Sequence, residues 1–124
     1  MKCPKCNSDM EKVTFEQIEV DRCTKCKGLW FDMLEHEHLK AMQHSESIDV
    51  GKVDIGKEYD KIDKIDCPVC QTMMMRMVDK NQPHIRYEAC TSCYGVFFDA
   101  GEFRDYKEET VLDFFRDIFA KKRM

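Results

Sequence analysis

Apolar and polar residues alternate in two short runs near the start of the chain, MEKVTF (residues 10–15) and QIEVDRC (17–23), and the pattern returns in MMRMV (74–78) and HIRYEAC (84–90). A period of two over so few residues is the mark of a strand with one buried face. Each half of the chain is therefore predicted to carry two strands joined as a β-hairpin. Asn81-Gln82-Pro83 lies between the later two runs, and Asn and Pro favour turns. The tip of the second hairpin is expected there.

After the second strand of each hairpin the period lengthens. WFDMLE (30–35) and FFDAGE (97–102) place an aspartate three residues before a glutamate. That spacing predicts a capping box, with Asp32 and Asp99 as N-caps and Phe31 and Phe98 as hydrophobic staples. The first helix is expected over 33–44. Residues 103–122 predict a second, amphipathic helix with an apolar stripe of Val111, Leu112, Phe114, Phe115, Ile118 and Phe119, and Lys121, Lys122 and Arg123 suit its C-terminus. Residues 45–65 hold two glycines, abundant charge and sparse apolar positions, which reads as a linker.

The two halves are copies of one unit. CKGLWFD begins at Cys26 and CYGVFFD at Cys93, and the match extends outward. Met10 aligns with Met74, Val13 with Met77, Ile18 with Ile85, Val20 with Tyr87, Trp30 with Phe97 and Glu35 with Glu102. The offset is 64 before position 80 and 67 after position 84, so the second copy holds three extra residues at its hairpin tip.

The cysteines change the picture most. All eight fall in four C-x2-C pairs: Cys3/Cys6, Cys23/Cys26, Cys67/Cys70 and Cys90/Cys93. The two pairs of each half are separated by 16 and 19 residues, the spacing of a four-cysteine zinc site. Four thiolates suit tetrahedral Zn2+ and leave no exchangeable position, so such a site is structural. A unit of about 35 residues is below the roughly 40 at which a core alone suffices, and the metal would stand in for it. Iron is also acceptable to an all-sulfur tetrahedron. A redox role fits less well, since a thioredoxin-like site has one such pair in a βαβ setting. Gly28 and Gly95, two residues past the last cysteine of each site, read as letting the backbone pass close to the sulfurs.

C-P-x-C, a hairpin, then C-x-x-C-x-G-hydrophobic-aromatic-hydrophobic-D-x-x-E resembles the transcription-factor-IIB-type zinc-ribbon family, in two copies over roughly residues 1 to 40 and 65 to 107. The second copy keeps the family's D-x-G-E ending. The first has Leu34 in the glycine's place, and Thr24 and Thr91 stand where proline is often found. The resemblance implies a small metal-bound α+β fold of two tandem zinc ribbons, each followed by an α-helix, with all eight cysteines holding two Zn2+ per chain. The expected organisation is a first ribbon plus helix over 1–44, a linker over 45–65, a second ribbon over 66–102 and the C-terminal helix over 103–124.

Charge bears on partners. The net formal charge is −4, and only residues 1–31, with six cations against five anions, carry an excess of positive charge. Lys2, Lys5, Lys12, Arg22, Lys25 and Lys27 are the only candidates for a nucleic-acid patch, and their simpler reading is as solvated counter-charges to the thiolates. Trp30, Phe31, Phe97 and Phe98 are read as core rather than as base-stacking platforms. The Met73–Met77 run is read as one packed face plus surface rather than as a copper site. His36 and His38 are read as solvated helix residues.

No catalytic constellation is visible, and no enzyme is expected. The absence of an apolar leader or of a run of about 18 apolar residues suggests a cytoplasmic chain with no membrane segment. The expected function is a zinc-binding, non-catalytic protein-interaction or adaptor module. It would engage an unidentified protein or a second copy through Leu112, Phe115 and Phe119 of the C-terminal stripe. A nucleic-acid-binding or transcription-associated factor is the alternative, and a thiol oxidoreductase the third reading.

Overall fold

A computed structural model describes residues 1–62, 64–78 and 85–107. Among these residues six strands form one antiparallel sheet: β1 (Met10–Phe15), β2 (Ile18–Cys23), β3 (Leu29–Phe31), β4 (Met75–Val78), β5 (Arg86–Ala89) and β6 (Val96–Phe98), in the order β1-β2-β3-β6-β5-β4. The two expected hairpins are present. In the first, Phe15 pairs with Ile18 across Glu16 and Gln17, both at positive φ, the two-residue turn that matches strand twist. The tip at Asn81-Gln82-Pro83 lies outside the described residues, as do Leu112, Phe115 and Phe119.

The alternating pattern did not reveal the third strand of each half. LWF and VFF, inside the repeated phrase, pair with each other: Leu29 with Phe98, Trp30 with Phe97 and Phe31 with Val96. Trp30 thus lies opposite its own counterpart in the duplication. The two ribbons meet as the halves of a two-fold dimer would, joined within one chain. All six residues of this seam are buried, because the sheet centre is covered on both faces, and such strands read as continuous apolar runs rather than as alternation.

Strand periodicity assigns the seam residues to two cores. Leu29, Phe31, Val96 and Phe98 face one side and pack with Val20, Ile48, Ile85, Phe103 and Tyr106, together with Leu39 of α1 (Glu35–Lys40). Trp30 and Phe97 face the other side, in a cluster with Ile65, Met74 and cysteines of both halves. Residues 45–65 are more than a spacer. They hold a 3-10 turn at Ser45–Ile48 and a helix, α2 (Val53–Asp60), and they bury Ile48, Asp49, Asp60 and Ile65.

The helix starts differ from the capping-box expectation. α1 begins after Leu34, which is left-handed at φ 66° and supplies no side-chain cap, and the helix is shorter than 33–44. Only half of the box forms, with the Asp32 amide donating to Glu35 Oε1 at 3.1 Å. The chain is also helical over residues 102–107. There the capping carboxylate is Asp49, which accepts from the amides of Gly101 (2.9 Å) and Arg104 (3.0 Å). Asp99 is engaged elsewhere.

His36 corrects another expectation. It is buried among the rings of Phe31, Tyr87, Phe98 and Tyr106, whereas His38 is exposed. Its Nδ1 has no hydrogen-bond partner among the described residues. Burial disfavours the imidazolium and pulls His36 below its ordinary 6.5, with Glu37 opposing that shift and Lys40 adding to it. The unfolded chain therefore takes up this proton first, so the contribution is intact above about 6.5 and is lost as pH falls below it. His36→Leu is expected to remove this acid-side decline, measured as urea midpoints of the zinc-loaded protein at pH 7.5 and 5.5. An unchanged difference between the two midpoints would refute the assignment.

Candidate metal centres

Each C-x2-C pair is a tight turn whose shape is set by the backbone. The residue after the second cysteine is left-handed in all four: Asn7 (φ 62°), Lys27 (65°), Gln71 (63°) and Tyr94 (63°). The Asn7, Gln71 and Tyr94 amides return to the carbonyls of Cys3, Cys67 and Cys90 at 2.9, 2.9 and 3.0 Å. This chain reversal turns amides toward sulfur. Cys23 Sγ accepts from the Lys25 and Cys26 amides at 3.4 Å, and Cys90 Sγ from Ser92 and Cys93 at 3.3 and 3.4 Å. Cys67 Sγ receives the amides of Val69 and Cys70 in the same way. Amide donors of this kind favour thiolate over thiol.

The fold gathers the cysteines into two sets, Cys3/Cys6/Cys23/Cys26 and Cys67/Cys70/Cys90/Cys93, in each of which the four sulfurs lie within 4.8 Å of one another. None is in a disulfide. Cys3 and Cys26 are 3.7 Å apart, Cys6 and Cys23 3.3 Å, and Cys67 and Cys93 3.7 Å. Four sulfurs at 2.3 Å from a shared tetrahedral ion would be about 3.8 Å apart. The donor sets therefore fit zinc in number, chemistry and spacing.

Without a cation, four close sulfurs cannot all ionise, and their acidities separate. Cys3 accepts a hydrogen bond from Cys26 and is drawn down to about 5, and the same bond pushes Cys26 up. At Cys90 burial acts to raise the thiol, but the Cys93 and Ser92 amides overcome it and bring it to about 6. Burial pushes Cys93 up to about 12. Around a bound Zn2+ the four cysteines of each set would all serve as thiolates instead. The second set is the more open, with Cys70 and Cys93 half-buried, whereas in the first only Cys6 is.

Gly28 and Gly95 serve the seam rather than the sulfurs. A Cβ on Gly28 would stand 2.3 Å from Cζ of Phe97, and one on Gly95 2.2 Å from Cζ2 of Trp30. Each glycine thus makes room for the central aromatic ring of the other ribbon. Trp30 and Phe97 are fully buried and offer no surface for stacking bases.

Lys5 is the principal site residue that the sequence misassigned. It lies inside the first C-x2-C turn, yet its side chain is 0% exposed. Nζ is 2.8 Å from Glu88 Oε1 and 3.1 Å from Asp99 Oδ2, and it donates to the Tyr59 carbonyl at 2.9 Å. Glu88 also receives Arg76 at 2.9 Å, and Arg86 reaches Asp60 at 2.8 Å. Burial pushes the Asp99 carboxyl up to about 7 against the pull of Lys5. Asp60, Glu88 and Asp99 are close enough to suggest a third metal site, but Lys5, Arg76 and Arg86 already balance their charge. A signal was present in the duplication. Lys12–Asp21 (2.9 Å) repeats as Arg76–Glu88, whereas Lys5 has only Val69 as its counterpart.

The chain matches the transcription factor zinc-finger family, a TFIIB-type zinc ribbon, over residues 2–42 and 66–109. It belongs to that family, with two tandem ribbons and a four-cysteine site for one Zn2+ in each. No curated protein and no solved structure matches it. Among the described residues no helix is long and apolar enough to cross a membrane.

Proposed function

We propose that this zinc-ribbon protein is a non-catalytic interaction module, in which the metal sites hold two ribbons so that the second presents an apolar edge to another protein or to a second copy. The observation that carries this reading is on β4 and at Met73 just before it, at one edge of the sheet among the described residues. Met73 and Met75 are 65% and 54% exposed, and Met77 and Val78 are exposed beside them. The equivalent positions of the first ribbon are Asp9, Glu11, Val13 and Thr14. A strand at the edge of the described sheet that carries exposed apolar side chains is suited to strand addition or to covering by a partner's apolar face. Leu112, Phe115 and Phe119 of the C-terminal sequence offer further apolar side chains to such a partner.

The charge distribution supports the same reading over nucleic-acid binding. Lys2 pairs with Asp9, Lys12 with Asp21, Arg22 with Glu11, and Lys5 with Glu88 and Asp99. Lys25 and Lys27 alone of the six remain without an ion pair among the described residues. Each zinc tetrathiolate would add two further negative charges.

Sedimentation of the zinc-loaded full chain tests the proposal. A dimer, or a stable complex with a purified partner, is expected to weaken on Met75→Lys and on Phe115→Asp. Association unaffected by either change would overturn it. Salt-steep binding to duplex DNA or RNA, abolished by Lys25→Glu with Lys27→Glu, would replace it with the nucleic-acid reading. Rapid alkylation of the cysteines in the loaded protein would favour thiol chemistry.

A further inference from the structure

The two metal centres are joined by more than the sheet between them. Lys5 belongs to the turn that carries Cys3 and Cys6, but every partner of its ammonium lies outside the first ribbon. Glu88 is two residues before Cys90, Asp99 directly follows β6, and Tyr59 is near the end of α2. The reciprocal position in the second ribbon is Val69, which is 52% exposed. The bridge therefore runs one way, from the first cysteine turn into the second ribbon.

The bridge is sensitive to the shape of both ends. Lys5 reaches Glu88 from within the Cys3–Cys6 turn, whose geometry zinc would hold by binding both sulfurs. If that turn loosens, Lys5 withdraws, and Glu88 and Asp99, each 1% exposed, stay buried without it. A buried charge that loses its partner is strongly destabilising. Glu88 would keep Arg76 at 2.9 Å, but Asp99 has no other cation among the described residues, and Glu88 Oε2 and Asp99 Oδ1 have no hydrogen-bond partner there. Loss of metal from the second site releases the strand that presents Glu88, and Lys5 is stranded in turn.

We propose that Lys5 couples the two zinc centres, so that occupation of either raises the affinity of the other and the chain fills and empties its metal as a unit. Such coupling is a free energy shared by both sites and must be equal in the two directions.

Co2+ is a suitable probe, because its absorption reports tetrathiolate binding directly in the full chain. Cys67→Ser with Cys70→Ser leaves only the first site, and Cys3→Ser with Cys6→Ser leaves only the second. In the parent chain both sites are expected to fill in one step. Each isolated site should bind Co2+ more weakly than it does in the parent, roughly 5- to 150-fold, by the same factor for both. In Lys5→Met the fully loaded protein should still hold two ions, with that factor approaching one. Val69→Met should change nothing. Equal affinities in the parent and single-site chains would overturn the proposal, as would undiminished coupling in Lys5→Met, which would assign it to the seam. Glu88→Gln keeps Lys5 and should also lower the coupling. If Lys5→Met fails to load, an undiminished factor in Glu88→Gln overturns the proposal instead.

Discussion

Stripping zinc from the full chain with a strong chelator is expected to unfold it. Five cysteines form one core cluster with Trp30, Ile65, Met74 and Phe97, so the metal sites are part of the interior rather than attached to it. Structural zinc contributes on the order of 10 to 16 kcal/mol apparent per site, whereas a domain's net stability is about 5 to 15 kcal/mol. Loss of both ions therefore exceeds what the remaining contacts hold. The chain has one tryptophan, Trp30, and it is fully buried, so its emission is a direct reporter. Chelation should shift that emission to the red and collapse amide chemical-shift dispersion, and two equivalents of Zn2+ should restore both. A metal-free chain that kept a blue-shifted Trp30 and dispersed amides would show that the apolar cores suffice, and the structural role of the sites would have to be abandoned.

The second large effect is expected at the seam between the ribbons. Trp30→Ala removes a buried indole from the sheet centre and should cost about 3 to 5 kcal/mol in the zinc-loaded protein. Gly95→Ala introduces the opposite fault. Its Cβ would lie 2.2 Å from Cζ2 and 2.6 Å from Cη2 of Trp30, a ring that is itself fully buried. Overpacking of this kind costs about 1 to 3 kcal/mol. The two changes should be strongly non-additive, because a smaller side chain at position 30 leaves room for the new methyl. A cycle of Gly95→Ala with Trp30→Leu, followed by urea unfolding, measures that coupling, and Gly28→Ala with Phe97→Leu repeats it on the other side of the pseudo-two-fold. Additive effects in both cycles would mean that the glycines serve something other than the rings.

Both predictions concern the repeated phrase, and they show where sequence reasoning reached its limit. Cys26 and Cys93 were legible as ligands because a metal site is specified by residue type and local spacing, and the cysteine turns form from adjacent residues. The hairpins were legible because one face of each is covered, which leaves a period of two in MEKVTF and QIEVDRC. LWF and VFF were not legible as strands. They are buried on both faces, so alternation vanishes, and each finds its partner in the other copy about 67 positions away. Asp32 and Asp99 illustrate the same limit. They are equivalent in the duplication, yet Asp32 stays exposed while Asp99 is drawn into the Lys5 cluster, and Asp49 takes over the capping.

His36 and Lys5 show how the environment overrides residue type. A histidine on a short helix and a lysine inside a metal-binding turn both read as solvated. His36 is enclosed because four aromatic rings from separate elements converge on it, and Lys5 because Glu88, Asp99 and Tyr59 converge from the second ribbon and α2. Neither convergence leaves a trace in the residues flanking them.

By itself, then, the sequence determined the duplicated unit, its eight ligands, its hairpins and its family, because each is written in local spacing or in the likeness of one half to the other. The tertiary structure alone decided how the halves join: antiparallel through β3 and β6, with Trp30 against Phe97, a glycine clearing space for each ring, and one lysine crossing from the first metal turn into the second ribbon. These are contacts between residues distant in the chain, selected by packing and charge balance in a shared interior, and no local pattern encodes them.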